Sequence, residues 1–323
     1  MKSYKSIADI KYSYTENFNM KRFGMEDDVR DILLLLEKVN PCRQRYHIKN
    51  DTLLVTYMHR LNLLNFTKKF KLAMPVRIAA MPVSIELPGV FGSMGDALEM
   101  IRELKGLTLI LNSDTELPGG GCTLSSFVFQ NEFTDFEDYM SSLRSSYRRR
   151  IRTALEKGSD LHISRLEVSD FSEAHYDLYR CVYERSGNKL ELLPIEFFRM
   201  CGAEVYEFRD PSNDLLAFVQ ILERKNELMF LFCGFREEDV KSCDIYMNML
   251  LFILKEGIRR GSNAINFGQT SEETKSKLGC EEVEKYLHIH HSNPIINCIL
   301  QKLTPHFSYK GYPCRHRVYK EKS

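Results

Sequence analysis

The sequence predicts a mixed α/β protein built as two units in tandem, each a mixed central sheet flanked by helices. Two observations carry this expectation. The 323 residues are 43% hydrophobic and 28% charged, a globular balance that suits about two domains of roughly 100–200 residues. Apolar strand runs also alternate with stretches of helical spacing, and one order recurs: strand, loop, helix, strand. It occurs at Val76–Ile85, Ser93–Leu104 and Leu107–Asn112, and again at Glu227–Phe235, Ile245–Arg260 and Ala264–Phe267. The residues of the two stretches are unlike, so architecture repeats and sequence does not. The division expected is 1–135 and 136–323; one large α/β domain is the competing architecture.

Each element has its own local reason. In the first half, β-rich runs mark strands at Thr52–Met58, Val76–Ile85, Leu107–Asn112 and Thr123–Gln130. Met94, Ala97, Leu98 and Ile101 repeat at helical spacing and mark the helix Ser93–Leu104. The second half opens with one long helix, about Phe136 to Lys157. A strand at Leu161–Glu167, a helix at Phe171–Arg185 and a shorter helix after Pro194 follow. Three strands come next, at Ala203–Phe208, Leu215–Leu222 and Glu227–Phe235, then the helix Ile245–Arg260. The strand Ala264–Phe267, the helix Ser271–Leu278 and the strand Lys285–His290 complete the second half.

Composition excludes several classes of function. Lys+Arg 45 against Asp+Glu 44 leaves +1, so no molecule-wide basic field for nucleic acid exists. The longest strongly apolar stretch, Ile245–Leu254, falls far short of the roughly 20 residues of a membrane span. Lys5 and Asp9 interrupt the place where a signal peptide carries its apolar run. Nine scattered cysteines read as reduced thiols used as small hydrophobes, which predicts a cytoplasmic location. His288, His290 and His291 have no partner at ligand spacing, so no metal site is expected.

Three stretches could carry chemistry. SSLRSSYRRRIRTALEKG, residues 141–158, sets Arg144, Arg148, Arg149, Arg150, Arg152 and Lys157 against Glu156 alone. Arg144, Arg148 and Arg152 recur every fourth residue and share a helical face, behind a buried stripe of Leu143, Tyr147, Ile151 and Leu155. Like charges at that spacing repel, so the helix calls for counter-anions: carboxylates of the protein, or a phosphorylated ligand gripped by Arg148 and Arg152. Around Phe235–Tyr246 an apolar strand runs through REEDVKSCD into a long helix. Ser242 or Asp244 is a natural N-cap there, and free amides at a helix start attract phosphate. The loop, however, is acidic at Glu237, Glu238 and Asp239 and has no glycine after Gly234. In INFGQTSEETKSKLG, residues 265–279, a strand ends before Gly268 and a helix starts under a Thr270–Glu273 capping box. Ligands of open α/β sheets bind beyond the carboxyl ends of strands, which marks Gln269, Thr270 and Lys275 as contacts. The glycines of GVFGSMGD, residues 89–96, read as a plain turn.

KEGIRRG (255–261), INFGQT (265–270) and KSKLGC (275–280), with the Arg-rich helix before Gly158 and LYRCVYERSGNKL (178–190), resemble Fem-type, peptidoglycan-biosynthesis-like acyltransferases with a GNAT-like fold. The match spans most of 136–291; the first half is similar only in element order. The resemblance implies tandem GNAT-like domains, the first degenerate, with the ligand between them. It also implies acetyl or aminoacyl transfer to an amine, with acyl-CoA as a co-substrate and no tightly bound cofactor. The glycine loop that usually holds the coenzyme A pyrophosphate is absent at 236–246, and the coiled-coil arm of tRNA-dependent members is absent too. The donor therefore stays open.

Amine acylation needs a base, an acid for the leaving group and donors for the carbonyl oxygen. By analogy, Phe232–Phe235 would offer backbone amides, with Phe235, Ser242, Gln269, Thr270 and Lys275 holding the donor. Tyr246 would protonate a leaving thiolate and Glu223 would be the base. The central expectation is that Arg148, Arg152 and Lys275 converge on one anion. A binding or scaffold protein that has lost catalysis, and a tRNA-dependent transferase using the 144–157 patch, are the alternatives.

Overall fold

The structure, a computed structural model, describes residues 1–13, 20–40, 42–62, 73–82, 85–187 and 191–321. They form two compact units, Met1–Leu124 with Glu284–Lys310, and Ser125–Val283 with Gly311–Ser323. The single cut expected after residue 135 is thus replaced by a division that the chain crosses three times.

The first unit contains β1 (Lys2–Tyr4), α1 (Asp27–Val39), β2 (Arg45–Lys49), β3 (Thr52–Asn62), β4 (Ala73–Ala79), β5 (Val90–Phe91), α2 (Met94–Glu103), β6 (Leu107–Ser113) and β7 (Gly121–Cys122). Late in the chain, β15 (Tyr286–His291) and α10 (Pro294–Phe307) return to it. Its sheet has the order β1-β2-β3-β4-β6-β15-β7, with β5 paired to β3. Strand β4 ends at Ala79, short of the expected Ile85, and residues 83–84 of that expectation lie outside the described residues. Ser93 caps α2 by accepting from the Asp96 amide, and the Asp96 carboxylate accepts from Asn50 and Thr52. A β-carbon at Gly89 would meet the Ala80 backbone at 2.5 Å, so the glycines there serve a close turn.

The second unit contains β8 (Ser126–Gln130), α3 (Phe136–Ser142), α4 (Ser145–Lys157), β9 (His162–Leu166), α5 (Glu173–Arg185), α6 (Ile195–Met200), β10 (Glu204–Arg209), β11 (Leu215–Arg224), β12 (Glu227–Phe235), α7 (Glu237–Cys243), α8 (Ile245–Arg260), β13 (Ala264–Asn266), α9 (Glu272–Ser276) and β14 (Glu281–Val283). Its sheet has the order β14-β8-β13-β12-β11-β10-β9. The repeated strand–helix–strand order appears as two parallel pairs, β4 with β6 and β12 with β13. Parallel neighbours need such a crossover.

The core of this unit lies between the sheet and α8. Ala217, Val219 and Ile221 of β11 meet Leu250, Leu251 and Leu254 of α8 and Ile151 of α4, all essentially buried. The long helix expected from Phe136 to Lys157 is two helices. Leu143 leaves helical geometry to bridge Tyr319, and the Arg144 amide donates to the Val318 carbonyl. The carboxyl-terminal segment therefore competes for these backbone groups and divides the helix. The acidic loop after β12 is itself helical, as α7.

Candidate functional site

Strand β12 changes neighbours along its length, and this makes the site. Glu227, Leu228 and Met229 pair with Ala264, Ile265 and Asn266 of β13. Among the described residues no pairing joins the two strands further on. Strand β12 continues beside β11 as far as Phe235 opposite Ala217. The chain leaving β13 turns to β8 instead, with the Phe267 amide on the Phe127 carbonyl (2.9 Å) and the Phe127 amide on the Gly268 carbonyl (3.2 Å). A bulge sharpens the parting. Gln220 faces Phe232 and Ile221 faces Phe230, so Leu231 has no partner on β11, and bulges bend and twist a strand. The result is a notch whose β12 wall, from Phe230 to Phe235, has one edge of its backbone turned away from the ladder.

Aromatic and thiol groups line the far end of the notch. Phe235 stacks on Tyr246 in the first turn of α8 (centroids 5.5 Å apart, 28° between planes). Arg185 lies over the Phe235 ring, 4.6 Å from its centroid, and donates to the Phe235 carbonyl at 3.2 Å. Burial raises the Tyr246 phenol well above its ordinary range, Cys233 beside it adds to the rise, and a hydrogen bond with Ser271 opposes it. The phenol is a neutral donor at physiological pH. Burial likewise pushes the Cys233 thiol up to about 12. Helix α5 presses on the strand at Gly234, where a β-carbon would meet the Tyr179 nitrogen at 2.6 Å and the Leu178 carbonyl carbon at 2.8 Å.

The segment after β13 forms the opposite wall. Gly268, Thr270 and Ser271 all have positive φ (70°, 67° and 54°), a conformation that costs non-glycine residues energy and gathers at functional loops. Lys275 holds this turn. It is 1% exposed, and its Nζ donates to the carbonyls of Gly268 (3.0 Å) and Gln269 (2.7 Å). The Thr270–Glu273 capping box is not formed: Ser271 is the N-cap, with no side-chain cap bond.

Several predicted residues stand elsewhere. Glu223 is opposite Leu228, at the start of β12, while Tyr246 stands by Phe235 at its end. Seven residues of strand separate them, about 23 Å at the usual rise, and Glu223 is paired with Arg260 at 3.2 Å. It is not the base. Ser242 lies inside α7 and donates to the Asp239 carbonyl; Asp244 precedes α8 with φ 50°. Lys275 is turned inward, so the expected three-cation cluster loses a member. Arg148 is half-buried and Arg152 exposed on α4. Among the described residues no carboxylate pairs with Arg148, Arg149 or Arg152, whereas Arg144 reaches Glu321 at 3.4 Å and Arg150 helps to hold the Glu273 carboxyl below its ordinary range, after the larger effect of Lys277. Helix α4 packs on the start of α8 through Asn248, whose Nδ2 donates to the Ala154 carbonyl at 2.9 Å.

Sequence reasoning missed Arg185, Cys233 and Ser271 as notch groups, since nothing local marks residues that meet only through the sheet. A cavity of about 340 Å³ opens elsewhere in the unit, beside Phe133, Tyr319 and Glu281, and none of the predicted residues lines it. Among the described residues no cluster of His, Cys, Asp or Glu could hold a metal.

No family model and no curated protein matches the sequence. Solved structures do match by shape. The C-terminal domain (DUF2156) of a putative lysylphosphatidylglycerol synthetase from Agrobacterium fabrum superposes with a TM-score of 0.52 at 10% identity, covering 91% of this chain and 98% of that one. FemX superposes with a TM-score of 0.52 at 10% identity, covering 93% of this chain and all (100%) of that one. With its two mixed sheets, its paired crossovers and the parting of β12 from β13, the chain carries the fold that FemX and this C-terminal domain share.

Proposed function

We propose that this chain is an N-acyltransferase whose acyl donor lies in the notch between β12 and β13. The parting of the two strands after Met229 and Asn266 carries the reading, because it frees strand backbone groups beside a neutral phenol, Tyr246, stacked on Phe235 at the far end of the notch. With an acyl thioester as donor, an amine attacks the carbonyl carbon. The C–N bond forms, the C–S bond breaks, and the ammonium proton passes to solvent. Tyr246 gives its proton to the departing thiolate and regains one from water. Amides of Phe232–Phe235 orient the thioester. Such preorganised donors are worth several kcal/mol, and a positioned acid adds about 10²–10⁴-fold.

Calorimetry with coenzyme A and acetyl-CoA, followed by mass spectrometry of an amine panel, tests this. Saturable heat with loss of free thioester is expected. Absence of both across short and long acyl groups would leave a scaffold with this fold. A second reading, with the acyl group carried as an ester on RNA, is favoured by Arg148, Arg149 and Arg152 of α4, with which no carboxylate among the described residues pairs. It is favoured too by Glu237, Glu238 and Asp239, which occupy the first turn of α7, where a glycine loop would hold pyrophosphate.

A further inference from the structure

Helix α10 carries an apolar face into solvent. Ile295 is 71% exposed, Ile296 43%, Ile299 53% and Leu303 42%. Steps of one, four and eight residues from Ile295 put them on one side of the helix. They are four of the nine large apolar side chains that stand strongly exposed among the described residues, so the exposure is a patch and not a scatter. The helix is preformed. Asn293 caps it by accepting from the Ile295 and Ile296 amides, and buried Thr304 secures its inner side.

The helix itself carries charge of one sign. PIINCILQKLTPHF contains no Asp or Glu; Lys302 and His306 are exposed on it, and Lys310 follows shortly after. A second copy of the chain suits this face poorly. Two such helices would set basic groups against basic groups, and four aliphatic side chains cover much less than the ~800 Å² per partner of a stable interface. A bilayer rich in anionic headgroups answers both features, taking the aliphatic side chains at the acyl boundary and the cations at its phosphates. We infer that α10 docks this protein on an anionic phospholipid surface, lying in the plane of the interface. No helix among the described residues is long and apolar enough to cross a membrane, so the contact is peripheral. The inference does not depend on acyl transfer.

Co-sedimentation of the full chain with phosphatidylcholine vesicles, with and without phosphatidylglycerol, tests it. Binding to the anionic vesicles alone is expected, and Ile295→Glu with Ile299→Glu should weaken it at least about tenfold. Both positions are exposed, so an unchanged melting temperature accompanies the loss. Arg148→Glu with Arg152→Glu should leave binding in place. The inference is overturned by wild-type protein that ignores anionic vesicles at low salt, or by isoleucine variants that bind as well as wild type. Concentration-dependent dimers that Ile299→Glu dissolves, without vesicle binding, would assign the face to a second copy instead.

Discussion

Replacing Lys275 with Met separates a structural lysine from an anion ligand. The ammonium group is buried and donates to two carbonyls at the end of β13, Gly268 and Gln269, at 3.0 and 2.7 Å. Methionine fills similar volume but removes the donor that Lys275 gives to both carbonyls. An unsatisfied buried acceptor costs about 1–3 kcal/mol, and the variant recovers part of this by no longer burying a charge. The net loss expected is about 2–4 kcal/mol, a fall in melting temperature of roughly 5–15 °C for a unit of this size. Thermal melts report it directly, and hydrogen exchange should place the loosening at 267–280. Lys275→Arg, too large for the site, should also destabilise. If Lys275→Met melts within about a degree of wild type and loses affinity for phosphorylated ligands instead, the inward lysine is the wrong description.

Three further outcomes follow from the same contacts. Tyr246→Phe should lower acyl-transfer turnover about 10–100-fold while leaving KM and melting temperature nearly unchanged; an equal fall in stability would make the hydroxyl structural. Gly234→Ala places a methyl group 2.6 Å from the Tyr179 nitrogen, against helix backbone that cannot yield cheaply. About 2–3 kcal/mol should be lost, read as a lower urea midpoint. In the first unit, burial holds the His47 imidazole down at about 4, with Arg77 and Arg45 adding to the shift. Its folded pKa is below the unfolded value of about 6.5. Its contribution is therefore complete above pH 6.5 and disappears as the pH falls towards 4, about 3 kcal/mol in all. Urea titrations of wild type and His47→Gln across that window should converge at acid pH.

Periodicity identified most of the framework, because α8 and β12 are long enough for their patterns to be unambiguous. Both match the expected spans, Ile245–Arg260 and Glu227–Phe235. Where it failed, a distant segment had changed the local balance. Nothing between Phe136 and Lys157 announces a break, since the competing donors and acceptors belong to Val318 and Tyr319. The strand at Lys285–His290 was visible, but its place in the first unit's sheet depends on pairing with β6, more than 170 residues earlier. The site was legible to the same degree. Phe235, Tyr246 and Gln269 are neighbours of the notch because strand and helix order sets them there. Glu223 lies at the other end of β12 from Tyr246, because the sequence does not tell which end of a strand its partner occupies. Lys275 turns inward, which the sequence did not show, because a lysine one turn into a helix reads as solvent-facing until its backbone acceptors are known.

The choice of donor rests on where phosphate can lie. A helix start normally attracts anions, but the first turn of α7 already holds Glu237, Glu238 and Asp239, and Asp244 precedes α8. A diphosphate placed there would meet its own sign of charge. Arg148, Arg149 and Arg152 of α4 present the reverse situation, cations that the described carboxylates leave without an ion pair, on a helix packed against α8. If they grip nucleotide phosphates, binding of tRNA should weaken steeply with salt. Four contacts on single-stranded RNA give a log–log slope of roughly −3, and neutralising two of them with Arg148→Gln and Arg152→Gln should flatten it by about 1.5. The same variants should leave any coenzyme A affinity unchanged, because that ligand would lie along β12. A wild-type slope near zero removes RNA as the donor carrier. A steep slope that the double variant leaves intact would move the contact to another surface.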